Sequence, residues 1–214
     1  MDYHYPVDLK LFMKLNRTKM KNLFIITVSF LLSFSYSQAQ IFAGTLNVTG
    51  MPSFTQSVNA VVVEAGVDDA TVGFESNFDA TKIGFVLDPI LLLSSSLLCE
   101  QNVYRYRVYI NSVNAPANII LEAKTTVNSG LRFPTVSIYD TLLIKPLGQR
   151  NLMPSNGGNY IVVPNNATQA VKIMEFIGCR KDIPIQFRIK PSSLCPAGIY
   201  NIEINYTVTA SLTL

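Results

Sequence analysis

Three cysteines and one acidic stretch are the residues of this sequence with the most evident chemistry. Cys99, Cys179 and Cys195 lack the C-x-x-C spacing that metal and redox sites commonly use. The acidic residues between positions 68 and 79 carry oxygen ligands suited to calcium, but their spacing does not match an EF-hand loop. We therefore predict no metal site and no cofactor, with calcium binding by this acidic stretch as the alternative.

The sequence contains few of the side chains that commonly act in catalysis. The only histidine is His4, which lies in a segment that we expect to be removed, so Ser-His-Asp and Cys-His catalysis are excluded from the mature chain. No phosphate-binding loop and no G-x-G-x-x-G turn occurs. We predict a non-catalytic protein with no catalytic residues, and catalysis by a pair of carboxylates is the remaining alternative.

The first forty residues have the layout of a secretory signal peptide. A basic stretch precedes an apolar run at 23–34, and Ser37 and Ala39 then stand at the −3 and −1 positions of a cleavage site before Gln40. The run is shorter than the roughly 20 residues of a membrane-spanning helix. We interpret residues 1–39 as a misassigned start plus a signal peptide, and we expect no membrane span in the mature chain.

Export bears on the cysteines, because an oxidising compartment favours disulfide formation. We expect one disulfide and one free thiol. Cys179 and Cys195 bracket a predicted strand and each lies near a turn, so we favour the Cys179–Cys195 pair over the other two pairings. Cys99 would then be a small buried hydrophobic residue.

The charge is balanced but unevenly distributed. Residues 1–39 hold five of the 17 basic and two of the 14 acidic residues, so the remainder is neutral. A polybasic nucleic-acid binder is therefore not expected. Residues 40–100 are net acidic and residues 101–214 net basic, which indicates either two halves that face each other in one fold or attraction between subunits.

Alternation of apolar and polar residues predicts strands throughout residues 40–214. The longest run covers 200–214, with apolar residues at even positions, and similar runs cover 185–190 and 104–110. Weaker strand candidates lie at 46–48, 58–64, 119–124, 142–145, 160–163 and 171–176, while 90–99 is ambiguous between strand and helix. With turn residues between them, these runs predict an all-β fold with one antiparallel β-sandwich domain, immunoglobulin-like in outline.

The C-terminal stretch 183–212 resembles the closing strands of secreted bacterial pilin-like domains of the spore-coat-U and archaic chaperone–usher type. Pro196, Gly198 and Tyr200 match the P-x-G-x-Y turn of that family, and Thr207-Val208-Thr209 matches its final strand. The resemblance implies a surface or fibre subunit. In such pilins, an N-terminal strand is donated to the neighbouring subunit.

The start of the mature chain fits such a donated strand. Phe42, Leu46 and Val48 fall on one face of an alternating segment, with Gly44 between them. Main-chain hydrogen bonds to a neighbour's sheet edge would supply affinity, and pockets for alternate side chains would supply register. The alternative is an ordinary first strand that pairs inside its own domain.

These observations lead to two functional hypotheses. The first is an exported structural subunit of a cell-surface appendage or envelope coat, whose partners are copies of itself or related surface proteins. The second is a secreted β-sandwich binding module that recognises a glycan or a protein. Both place the protein in the periplasm, at the cell surface or outside the cell.

Overall fold

A computed structural model describes residues 43–55, 73–192 and 194–211. Two short α-helices and eleven strands occupy this described part, together with two 3₁₀ turns at Ser155–Gly158 and Ala167–Gln169. In chain order the elements are β1 (Gly44–Thr49), β2 (Phe74–Glu75), β3 (Thr81–Leu87), α1 (Ser95–Glu100), β4 (Arg105–Val113), β5 (Ile119–Lys124), β6 (Leu131–Phe133), α2 (Ile138–Thr141), β7 (Met153–Pro154), β8 (Ile161–Val162), β9 (Val171–Ile177), β10 (Cys179–Pro191) and β11 (Glu203–Ser211).

The strands form two antiparallel sheets that pack as a sandwich. The larger sheet has the order β1-β3-β10-β5-β8, and β2 and β6 also pair with β10. The smaller sheet has the order β11-β4-β9-β7. This arrangement confirms the predicted all-β class and the sandwich of antiparallel strands.

Strand β10 organises the larger sheet. It pairs with β3 and β2 along one side and with β6 and β5 along the other. Its register against β3 shifts between Arg180 and Ile183, where Asp182 adopts a positive φ of 52°. Such a bulge bends a strand and increases its twist, and here it lies between the part that pairs with β6 and the part that pairs with β5.

Side chains from both sheets meet in one core. In β4, Tyr106, Val108 and Ile110 are buried, as alternation requires for a strand with one face on the core. The Tyr106 ring lies 4.4 Å from that of Phe85 in β3, measured between centroids, so an aromatic contact joins the two sheets. Burial raises the pKa of Tyr106 to about 12.

Most of the strand predictions are confirmed. Alternation located β4, β5, β8, β9 and β11, the second half of β10, and the part of β1 at Leu46–Val48. In β11 the side chains of Ile204, Tyr206 and Val208 pack against the core while Thr207 and Thr209 are exposed, as predicted. The strand candidate at 58–64 lies outside the described residues, as do positions 212–214.

Two segments differ from prediction. Residues 142–145 form no strand, because they follow α2 as an exposed loop. The ambiguous segment 90–99 forms a tight turn followed by α1, which begins after Ser94, whose side chain accepts a hydrogen bond from the Leu97 backbone N–H. This is a serine N-cap.

The favoured cysteine pairing is wrong. The disulfide joins Cys99 of α1 to Cys179, the first residue of β10, with a Cα–Cα distance of 5.5 Å. Cys195 follows the end of β10, and at about 3.3 Å per residue this strand places Pro191 about 40 Å from Cys179. The short chain after Pro191 does not reach back, since a disulfide requires Cα atoms within about 7 Å. Cys99 is buried as expected, but in a disulfide, and Cys195 is the free thiol.

The described part of the chain contains no helix that is long and apolar enough to cross a membrane.

Replacement of Cys99 by Ser should lower the free energy of unfolding by about 2–5 kcal/mol, because the disulfide closes a long loop in the unfolded chain. The matched control Cys195→Ser should change it by less than about 0.5 kcal/mol. Urea denaturation of both variants measures this. A disulfide-linked Cys195 in a non-reduced digest of the wild-type protein would contradict the pairing.

Candidate functional site

The predicted donor strand forms one edge of the larger sheet. Strand β1 pairs with β3 of the same chain in a continuous antiparallel register, from Gly44 opposite Leu87 to Thr49 opposite Lys82. In the described structure, β1 therefore pairs inside its own domain. This is the alternative to strand donation that the sequence left open. Phe42 lies outside the described residues.

The inner face of β1 makes limited contact with the core. Leu46 packs against it, opposite Phe85, whereas Val48 keeps 48% of its surface exposed. The backbone of β1 passes so close to the Phe85 side chain that position 44 requires glycine, since a Cβ atom there would lie 2.4 Å from the Phe85 ring. At the strand start, the Thr45 hydroxyl donates a 2.6 Å hydrogen bond to Asp88.

The opposite sheet also ends in an accessible strand. Strand β11 pairs with β4 along its whole length without a register shift, and no other described strand pairs with it. The N–H and C=O groups that it directs away from β4 lie at the edge of the sheet. The C-terminal strand that carries the pilin-like motif is therefore an edge strand.

Two apolar loops project from the domain. Ile90 and Leu93 close a tight turn through paired backbone hydrogen bonds, and Leu91, at its tip, has a positive φ of 43° and is fully exposed. A branched side chain at positive φ is unusual, because Gly or Asn normally occupies such a turn. Leu143 is also fully exposed.

A buried arginine pair holds the loop between β5 and β7. The Arg180 guanidinium donates to the backbone carbonyls of Asn128, Ser129, Gly130 and Arg150. These acceptors are neutral, so burial, with further repulsion from neighbouring arginines, lowers the pKa of Arg180 to about 10. Its role is structural, since its donors are directed at the chain itself.

The second arginine of the pair is neutralised by a carboxylate. Arg150 is 1% exposed and lies 2.7 Å from Asp140. Asp140 also accepts from the Ser137 backbone N–H in a capping box at the start of α2, and the Ser137 hydroxyl donates to the Glu100 carbonyl. These contacts connect α1, α2 and the chain before β7.

Burial alone would raise the pKa of Asp140, but the hydrogen bonds from Arg150 and from Ser137 outweigh it and lower this pKa. The same balance operates at Glu122 on the larger sheet. There, ion pairs with Arg188 at 2.6 Å and Lys190 at 3.2 Å lower the Glu122 pKa against the opposing effect of burial.

Among the described residues, no group of three or more His, Cys, Asp or Glu side chains is placed to hold a metal ion. Glu75 lies 3.8 Å from Arg188, and Asp79 lies 3.7 Å from Lys82. Asp68 and Asp69 lie outside the described residues.

Tyr106 and Tyr109 of β4, and Tyr104 just before it, are largely covered by the fold. Tyr106 is buried, Tyr104 packs against the core, and Tyr109 is half-buried. The edge strands β1 and β11 and the apolar loops at Leu91 and Leu143 are accessible features of the described domain.

No protein-family model matches the chain, and no curated protein or solved structure matches it either. The inferences below therefore rest on the residues and their geometry.

Removal of the Asp140 charge should destabilise the domain, because it leaves the buried Arg150 without its counterion. Breaking a buried ion pair costs about 3–5 kcal/mol, and the partial exposure of Asp140 places Asp140→Asn near the lower end. Urea denaturation measures this. The control is Asp79→Asn, whose ion pair with Lys82 is exposed, and it should change stability by less than about 1 kcal/mol.

The pH dependence gives a second readout. Because folding lowers the Asp140 pKa, its contribution is fully present above the unfolded value of about 3.9 and is lost as the pH falls through the folded value. Between pH 7 and pH 3, wild-type stability should therefore fall more steeply than that of Asp140→Asn. Equal slopes would contradict a stabilising Asp140–Arg150 pair.

Proposed function

We propose that this protein is an exported, non-catalytic structural subunit of a cell-surface appendage or envelope coat, and that β1 of one subunit pairs with β3 of the next. The position of β1 at a sheet edge, with a single side chain packed against the core, is the observation that carries this proposal. The signal-like leader and the Cys99–Cys179 disulfide support export.

The energetics of β1 favour exchange between subunits. Its outward side chains are exposed and only Leu46 contributes to the core. A neighbour's β1 would make the same six residue pairs with β3 in the same register. Exchange of an identical element therefore gains and loses equivalent contacts, which is why domain swapping is a low-cost route to assembly.

The chain between β1 and β2 is long enough for exchange. Residues 50–73 separate Thr49 from Phe74, and at about 3.3 Å per residue they span roughly 80 Å when extended. A chain of this length would let β1 reach a neighbour's β3 once Phe54, which packs against the core, is released.

A secreted binding module is the second candidate function. The exposed apolar turn at Leu91 favours it, because a strained backbone that carries an unburied leucine is typical of a contact site. A monomeric mature protein that binds a polysaccharide or a protein from the cell surface would favour this second function over the first.

Cysteine cross-linking distinguishes exchanged from in-domain pairing. Thr45 lies opposite Val86 in the β1–β3 register, and the Cβ atoms of such pairs are about 4.5–5.5 Å apart. In a Cys195→Ser background, one sample carries Thr45→Cys and another carries Val86→Cys. When the two are mixed, partly unfolded together and refolded, oxidation should give a covalent dimer only if β1 of one copy lies on β3 of another.

Two controls define the result. The double variant Thr45→Cys/Val86→Cys reports whether the geometry permits a bond at all. Thr45→Cys mixed with Ile120→Cys, an exposed position on β5, reports random collision between thiols. Strand exchange is contradicted if the double variant closes only an intrachain bond and the mixed single variants give no more dimer than the Ile120 control.

A further inference from the structure

Strand β11 exposes the longest uninterrupted sheet edge in the described part of the protein. It has nine residues, all in register with β4, whereas β7 at the other end of the same sheet has two residues, one of them proline. In the larger sheet, the edge strand β8 also has two residues and β1 has six. A long, straight edge is a template for pairing with another strand.

The sequence of β11 does not protect this edge. Natural edge strands are commonly blocked by lysine, proline, a bulge or short length. Strand β11 contains no proline and no lysine, its register with β4 is regular, and its only charge is Glu203 at its first residue. The edge is therefore open to pairing.

We propose that two copies of this protein associate through β11, antiparallel to each other, about a two-fold axis at Thr207. This register uses all nine residues and keeps the apolar face against the apolar face. The resulting opposed pairs are Glu203 with Ser211, Ile204 with Ala210, Asn205 with Thr209, Tyr206 with Val208, and Thr207 with its own copy. The two four-stranded sheets become one continuous sheet of eight strands.

The opposed pairs suit each other chemically. On the core side, Tyr206 and Val208 form an aromatic–β-branched pair, and on the outer side, threonine and asparagine hydroxyl and amide groups lie within hydrogen-bonding reach. No like charges lie opposite each other. A two-fold contact of this kind is self-complementary, so a second copy satisfies both edges at once.

Charge complementarity selects a second copy as the occupant. On β4, Arg105 and Arg107 lie 4.0 and 3.6 Å from Glu175, which also binds Lys172 at 2.8 Å. Three cations thus share one carboxylate. Within the described part of the chain, Glu203, the acidic residue of β11, has no ion-pair partner.

The two-fold register brings these groups together. Ser211 pairs with Arg105 on β4, so Glu203 of one copy, opposite Ser211 of the other, lies two strand spacings, roughly 10 Å, from that Arg105 backbone. All three residues are on the same face, because directly paired residues share a face. The Arg105 guanidinium already donates to the Leu147 carbonyl and lies 4.0 Å from Glu175, and Glu203 of the second copy adds a further carboxylate on the same face of the sheet.

The test is charge reversal at the axis. Thr207 is exposed, so Thr207→Lys should leave the melting temperature unchanged at a protein concentration low enough for the wild type to be monomeric, but it places two ammonium groups opposite each other in the dimer. Thr207→Glu does the same with two carboxylates. Sedimentation equilibrium should show that the wild-type protein dimerises and that each variant dimerises at least about tenfold more weakly.

An equimolar mixture of the two variants should restore the dimer, and native mass spectrometry should find one copy of each. The control is Thr141→Lys at the end of α2, an exposed threonine outside both edge strands, which should dimerise like the wild type. A monomeric wild-type protein, a Thr207→Lys variant that still dimerises, or a mixture that stays monomeric would each overturn the proposal.

This association does not depend on strand exchange at β1. The Thr45–Val86 cross-link reports on the larger sheet, whereas Thr207 lies in the smaller one. Loss of dimers in Thr207→Lys with an unchanged cross-linking result would therefore separate the two contacts.

Discussion

The pairing of β10 on both of its sides is the constraint on which the rest of the structure depends. Four other strands of the larger sheet bond directly to it, and its bulge divides it into two segments with different neighbours. Its inward side chains Ile183, Ile185 and Phe187 are buried. Because the backbone of β10 is hydrogen-bonded to strands on both sides, the unpaired backbone edge of the larger sheet lies on outer strands such as β1.

The beginning of β10 is also where the loops are secured. Cys179 is held by the disulfide to α1, and the adjacent Arg180 organises the chain after β5 through its backbone carbonyls. Arg150, bound to Asp140, extends this network to α2. Covalent and charged contacts thus stabilise a region with little regular structure, at a distance from the edge strands β1 and β11 in the sheet order.

The alternation of apolar and polar residues predicted those strands that have one buried face and one exposed face. Alternation identified β11 and β4, but it failed for β3, where Ile83, Gly84 and Phe85 are consecutive buried residues, and for the bulged first half of β10. The apolar loop after α2 resembled a strand because Leu142, Leu143 and Ile144 were expected to be buried. The cysteine pairing depends on how α1 packs against β10, and sequence spacing does not carry that information. For the candidate site, the alternation of residues predicted that β1 and β11 are strands. It did not predict that they lie at sheet edges, because that depends on the order of strands in each sheet.

Amide hydrogen exchange at several protein concentrations tests most directly the claim that the edge strands serve assembly. Amides of β10 should be strongly protected at every concentration, because their exchange requires opening of the domain. Amides of β1, and those of β11 directed away from β4, should gain protection as the concentration rises, because neighbouring copies then cover both edges. Protection of β1 and β11 that is independent of protein concentration would contradict the account.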